Sequence, residues 1–282
     1  MTNWIETYRG AVPPWQCDVT EHFTVAYYFD RLEEAEANLV DELGLPAPPY
    51  RKINARFARE LRARASFHVE SAALGVADEL RLGHRFVDSA NGEIVTWFDE
   101  QWDLSAAPLT PQQRGMVEGR LATWNGPEAE ARPEPASTAG FIATARGRVK
   151  SGDINAAGHF ALGAMVLRFS NSSAQFGAAI GMNDTVMHQQ RRGFSTFELI
   201  LRLSGVLPLD APYLVKTGIG HLGSSSLRMI HCLTDTRSGA EIARLSQFGV
   251  NLDLDARRPA RWPDDVRQRA AQLLAVPAPA DP

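Results

Sequence analysis

Apolar positions recur at helical spacing in two stretches of the chain. In the first, Val25, Tyr28, Phe29, Leu32, Leu39 and Leu43 share a face, with Ala35 filling one turn. In the second, Leu162, Met165, Val166, Phe169, Phe176 and Ile180 do the same. Each predicts a helix of about 20 residues, roughly 30 Å long at 1.5 Å per residue. Gly44 and Gly181 stand where a C′ glycine ends a helix. The opposite faces differ. Asp30, Glu33, Glu34 and Asp41 make the first polar. Gly163, Ala164, Ser170, Ser172 and Ser173 make the second small and weakly polar, as suits a helix packed on several sides.

After each helix the pattern changes to strands. Phe67–Val76 and Asp78–Val87 are rich in apolar and β-branched residues, and the turn Ser89-Ala90-Asn91-Gly92 leads into Ile94–Trp102. In the second half the predicted strands are FSTFELILRL around Glu198, then Tyr213–Leu222, Ser226–Thr234 and Glu241–Leu254. Gly223-Ser224 and Arg237-Ser238-Gly239 punctuate them. His68 and His84 read as surface positions on strands. Beyond Asp103, Pro108 and Pro111 argue against a central strand. A short helix is expected over Pro263–Ala275, and disorder in the closing PAPADP. A long helix followed by a strand meander is an α+β layer, because the sheet must bury one face and the helix covers it.

The halves repeat each other. His22-Phe23 matches His159-Phe160 at a shift of 137 residues (22 to 159). Arg31, Ala37 and Gly44 meet Arg168, Ala174 and Gly181 at the same shift, which sets Asp18 against Asn155. Between the halves, NGPEAEARPEPASTA (125–139) has linker composition. The expected organisation is a module over 1–124, a linker over 125–139, a second module over 140–268 and a tail over 269–282.

Composition narrows the function. The chain has 282 residues, 44% of them hydrophobic, enough for full cores. Its net charge of −4 argues against nucleic acid as the main partner, since phosphate binding needs a basic surplus. The two cysteines, Cys17 and Cys232, show no CxxC spacing, so neither a zinc site nor a redox pair is indicated. Residues 1–10 lack an apolar signal-peptide core, and no apolar run reaches the 18 residues of a membrane span. A cytoplasmic location off the membrane is expected.

Each predicted helix follows a short motif ending in His: Trp15-Gln16-Cys17-Asp18-Val19-Thr20-Glu21-His22-Phe23, and Asp153-Ile154-Asn155-Ala156-Ala157-Gly158-His159-Phe160. Helix plus meander behind a D-x-x-x-H motif resembles the hotdog fold, in particular the 4-hydroxybenzoyl-CoA thioesterase-like branch of acyl-CoA thioesterases, which carries D-x-x-G-H-x-N before its long helix. The later strands also fit, as do Asn251-Leu252-Asp253, Arg257-Arg258-Pro259 and Trp262-Pro263. The resemblance covers most of 10–105 and 145–268. It implies a double hotdog: two tandem modules, each a long central helix wrapped by an antiparallel sheet. The copies depart from the pattern in opposite ways. The first has Glu21 where Gly is usual; the second has Asn155 where the Asp would stand.

The resemblance implies an acyl-CoA or acyl-carrier-protein thioesterase that needs no metal or redox cofactor. Asp18 can serve as general base on water or attack the thioester directly. The start of the following helix offers unpaired N–H groups, and the resemblance puts the oxyanion donor near Val25. Asn155 cannot be a base, but its amide can orient water. His22 and His159 can hydrogen-bond the intermediate or hold a carboxylate. One site centred on Asp18, completed by groups of the second copy, is the expectation. Bland readings stand beside these. Asp18 and Asn155 suit a helix cap or an Asx turn, and a bond to a loop carbonyl explains both histidines. Cys17 beside Asp18 suggests a Cys–His nucleophile, but a buried, inert cysteine is the favoured reading. Glu198 matches a strand carboxylate of related sequences, and is either functional or paired with Arg202. Arg168, Arg191 and Arg192 are candidates for CoA phosphates. Exposed sheet edges suggest a homo-oligomer, with a dimer favoured. Two other classes stay open. Ser151-Gly152-Asp153-Ile154-Asn155 resembles the start of a hotdog enoyl-CoA hydratase motif, though His159 falls one residue late and the Pro is missing. A non-catalytic acyl-CoA binder is the third reading.

Overall fold

Eight of the nineteen residues in the first long helix face inward: Ala26, Tyr28, Phe29, Leu32, Ala35, Glu36, Leu39 and Leu43 of Val25–Leu43. The helix ends where the sequence predicts, at Gly44 in the left-handed conformation with φ 62°. The computed structural model describes residues 3–18, 20–46, 51–105, 107–130 and 132–275; the expected disorder of PAPADP lies outside them. Contacts divide the chain into two units. The first is Met1–Ala129 with Ala161–Val166 and Arg202–Gly205; the second is Glu130–Phe160, Leu167–Leu201 and Val206–Pro282.

Unit 1 runs β1 (Ile5–Ala11), α1 (Val25–Leu43), β2 (Arg51–Phe57), β3 (Ser66–Val76), β4 (Glu79–Asp88), β5 (Ile94–Asp103) and α2 (Pro111–Glu118). Its strands lie in the order β1-β3-β4-β5-β2, every pair antiparallel. Phe23, Tyr28, Phe67, Phe86 and Phe98 pack ring on ring between α1 and the sheet. Where the prolines argue against a strand, α2 starts with Pro111 in its first turn behind a Thr110–Gln113 capping box. Residues 119–129 run over the outer face: Ala122 N–H donates to Ala73 O at 2.8 Å, and Trp124 packs on Trp97 and Trp4.

Unit 2 contains β6 (Ile142–Arg148), most of α3 (Leu162–Ala179), α4 (Asp184–Gln190), β7 (Arg192–Leu203), β8 (Pro212–Leu222), β9 (Ser226–Asp235), β10 (Glu241–Asp253), β11 (Arg258–Pro259) and α5 (Asp264–Ala271). Its sheet has the order β7-β10-β9-β8-β6, with β11 beside β10. The predicted C-terminal helix is α5, whose Val266 and Ala270 pack with Trp262 against Phe176 and Ile180. Residues 132–141 are not idle either: Phe141 covers Ile230 and Cys232, and Arg132 lies over the Phe248 ring.

Both sheets carry a row of polar side chains beneath the helix. In unit 1, Thr7 Oγ1 is 2.6 Å from Ser71 Oγ, and Ser71 Oγ is 2.7 Å from His84 Nδ1. His84 Nε2 lies 3.5 Å from Glu100, which shares Arg51 with Glu36 of α1. In unit 2, Thr144, Thr217 and His231 follow one another at 2.7 and 2.8 Å. Ser173 of α3 then bonds Gln247, and Gln247 bonds Thr196, both at 2.8 Å. His84 is therefore fully buried, not the surface residue its strand pattern suggests, because α1 covers that face of the sheet.

Candidate active site

The two His-ending motifs fold into the same loop. In unit 1, a 3-10 turn over Pro14–Gln16 precedes Cys17, which bridges to Phe23. Asp18 N–H donates to His22 O at 2.8 Å and Glu21 N–H to Asp18 O at 3.0 Å. Asp18 Oδ1 accepts from the N–H of Thr20 at 2.8 Å and of His22 at 3.1 Å. In the second loop, Asn155 N–H donates to His159 O and Gly158 N–H to Asn155 O, at 2.8 and 2.9 Å. Asn155 Oδ1 accepts from the N–H of Ala157 and of His159, both at 3.1 Å. Each loop is then clamped to the unit behind it, Phe23 N–H on Leu61 O and Phe160 N–H on Leu207 O. Asp18 and Asn155 thus build Asx turns rather than helix caps. Glu21 and Gly158 share the left-handed corner, with φ 64° and 76°.

What surrounds the loops differs. Asp18 is exposed. Thr24 makes no side-chain cap on α1 and Tyr27 N–H is taken by Thr24 O at 2.9 Å, which leaves the N–H groups of Val25 and Ala26 as the first-turn donors. Leu162 holds the position of Val25 in the second motif; it belongs to unit 1, and its N–H is taken by Glu33 Oε2 at 3.1 Å. His22 Nε2 lies 3.0 Å from Glu60 Oε2. Trp15, three residues before Asp18, is 80% exposed. Burial and the adjacent Asp18 carboxylate push the Cys17 thiol up, away from the thiolate a nucleophile needs. Among the described residues no group of three or more His, Cys, Asp or Glu is placed to hold a metal ion, and no helix is long and apolar enough to cross a membrane.

Residues 149–270, the stretch that holds the Asn155 loop, match the family model of the thioesterase-like superfamily. This segment is similar to the thioesterase-like superfamily. Solved structures extend the likeness over both halves. An acyl-ACP thioesterase from Bacteroides thetaiotaomicron superposes with a TM-score of 0.66 at 10% identity, over 88% of this chain and 98% of that one. The 12:0-ACP thioesterase from Umbellularia californica gives 0.61 at 13%, over 88% and 94%. At these identities the shared feature is the hotdog fold of thioesterases. No curated protein matches the chain by sequence. Thioester hydrolysis is the activity that the family match supports.

In and around the matched segment several predicted residues have other partners. Arg168 holds Asp153 with one guanidinium nitrogen at 2.7 and 2.8 Å from its two oxygens and donates to the Tyr213 hydroxyl at 3.0 Å. Arg191 pairs with Asp255 at 3.1 Å and Arg192 with Asp253 at 2.8 Å. All three candidates for CoA phosphates are therefore paired with carboxylates. Glu198 is buried and accepts from Arg132 Nε at 2.9 Å. The sequence could not supply that partner, because Arg132 lies in the stretch that reads as linker. Glu60 and Thr20 beside His22 were also missed. Thr20 falls at an unspecified position of the D-x-x-x-H motif, and Glu60 lies outside it.

Proposed function

We propose that the chain hydrolyses an acyl-CoA or acyl-carrier-protein thioester, built as a double hotdog, with Asp18 as the base. The observation that carries this is the pairing of an exposed Asp18 carboxylate with the uncapped start of α1. Asp18 takes a proton from water as the water oxygen adds to the thioester carbonyl carbon. The oxyanion is held by first-turn amides near Val25, a donor type worth about 2.7–4 kcal/mol in the transition state. The intermediate collapses as the C–S bond breaks, and the proton passes from Asp18 to the leaving sulfur. Free acid and thiol result. His22 stands beside the base, while Asn155 and His159 keep the geometry of a site without its ionisable group. Two modules are supported by the matching strand orders, the matching loops and the matching polar rows.

The test is thiol release across a panel of acyl-CoAs and acyl-carrier-protein thioesters. Asp18→Asn is expected to reduce turnover by roughly 10²–10⁴-fold, the range for losing a general base. Full activity in that variant would rule Asp18 out as the base. Loss of enoyl absorbance with no thiol released would favour the hydratase reading, and ligand-induced stabilisation without turnover the binder.

A further inference from the structure

The Thr20 hydroxyl lies between the two ionisable groups of the Asp18 loop, with Oγ1 2.6 Å from Asp18 Oδ1 and 2.8 Å from His22 Nδ1. It has one proton to give. An ionised carboxylate only accepts, so that proton goes to Asp18, and the hydroxyl oxygen accepts from His22 Nδ1–H. Two consequences follow. Asp18 Oδ1 gathers three donors, namely Thr20 N–H, Thr20 O–H and His22 N–H, which leaves Oδ2 to meet water. The imidazole is oriented with Nδ1 donating to Thr20, and its Nε2 faces Glu60 Oε2 at 3.0 Å.

The second loop lacks each part. Ala157 replaces Thr20, Asn155 replaces Asp18, and Val206, preceding Leu207, stands where Glu60 precedes Leu61. The backbone bonds of the two loops are the same. The hydroxyl is therefore not needed to build the turn, and it occurs only beside the ionisable group.

We propose that Thr20 is a positioning residue for thioester hydrolysis, aligning the Asp18 carboxylate and orienting the His22 ring. This rests on Asp18 being the base. Thr20→Val keeps the shape and removes the hydroxyl. A hydrogen bond to a charged group accounts for a roughly 10- to 100-fold fall in kcat, with KM changed little. A fall in kcat at unchanged KM is a readout that a merely structural role would not give. Thr20→Ser restores the hydroxyl and is expected to recover the rate. If Thr20→Val keeps the parent kcat and KM while Asp18→Asn is inactive, the Thr20 role is wrong and the base assignment survives. If Asp18→Asn is itself active, the base assignment fails first. A Thr20→Val loss that Thr20→Ser does not rescue, accompanied by a lower melting temperature, marks Thr20 as merely structural and also overturns the proposal.

Discussion

The corner of each Asx loop demands a left-handed residue, and the two loops meet the demand differently. Gly158 adopts φ 76° without a Cβ, whereas Glu21 adopts φ 64° with one. A non-glycine residue in this region costs roughly 1–2 kcal/mol relative to glycine's freedom. No atom lies within 4 Å of a Cβ built on Gly158, so substitution there meets conformational cost alone. Gly158→Ala is expected to lower unfolding free energy by about 1 kcal/mol. Glu21→Gly is expected to raise it by somewhat less, because glycine also gains freedom in the unfolded chain. Denaturant titration of each variant checks this, and a neutral Gly158→Ala would mean that the loop relaxes out of the left-handed corner. Glu21 thus differs from Gly158 in side chain but not in backbone. The motif was legible through Asp18 and His22, whose spacing survives the mismatch at the corner.

At the scale of the element, α1, α3 and the meander strands were legible because their inward positions are apolar at a clear period. β1 and β6 were not. Their buried side chains include Thr7 and Thr144, which face inward to close the polar rows instead of a hydrophobic core. Glu36 was hidden for the same reason. It sits on the buried stripe of α1 between Leu32 and Leu39, and a carboxylate there reads as surface until Arg51 is seen beside it. The row in unit 1 places two carboxylates on one guanidinium, while its counterpart in unit 2 is uncharged, with Ser173 and Gln247 where Glu36 and Glu100 stand. Arg51→Met should therefore strand the buried Glu100 charge and cost about 3–5 kcal/mol. Adding Glu36→Ser and Glu100→Gln to Arg51→Met should recover most of that loss, since the row then approaches the neutral pattern that unit 2 already uses. Calorimetry on the single and triple variants decides the matter. A triple variant as unstable as Arg51→Met would show that the charges themselves, not their balance, hold unit 1 together.

The charged row and the neutral row give the whole molecule two opposed responses to pH. Burial lowers His231 to about 4 from its ordinary 6.5, countered only by a bond its ring donates to Gln247; the side chains around it, Ser173, Thr217 and Gln247, are uncharged. As pH falls below 6.5 the unfolded chain takes up the proton before the folded one does. Unit 2 therefore loses stability between pH 6.5 and 4, by up to about 3 kcal/mol at the acid end. Unit 1 runs the other way. Burial raises Glu36 despite Arg51 opposite it, with Glu100 and Glu33 adding repulsion. Burial also opposes the charge on Glu100, but Arg51 and His84 outweigh it and keep that group lowered, so its contribution is lost only in more acid solution. Folded unit 1 thus holds a proton on Glu36 that the unfolded chain has released, and its stability falls as pH rises above the ordinary carboxylate range. Hydrogen exchange followed by mass spectrometry reads the two units separately across pH 4.5–6.5. Protection in β8–β10 should increase with pH over that range while protection in β3–β5 decreases. His231→Gln should flatten only the first slope and Glu36→Gln only the second. Parallel slopes in both units would contradict this assignment, because a global titration, unlike these two local ones, moves every strand in the same direction.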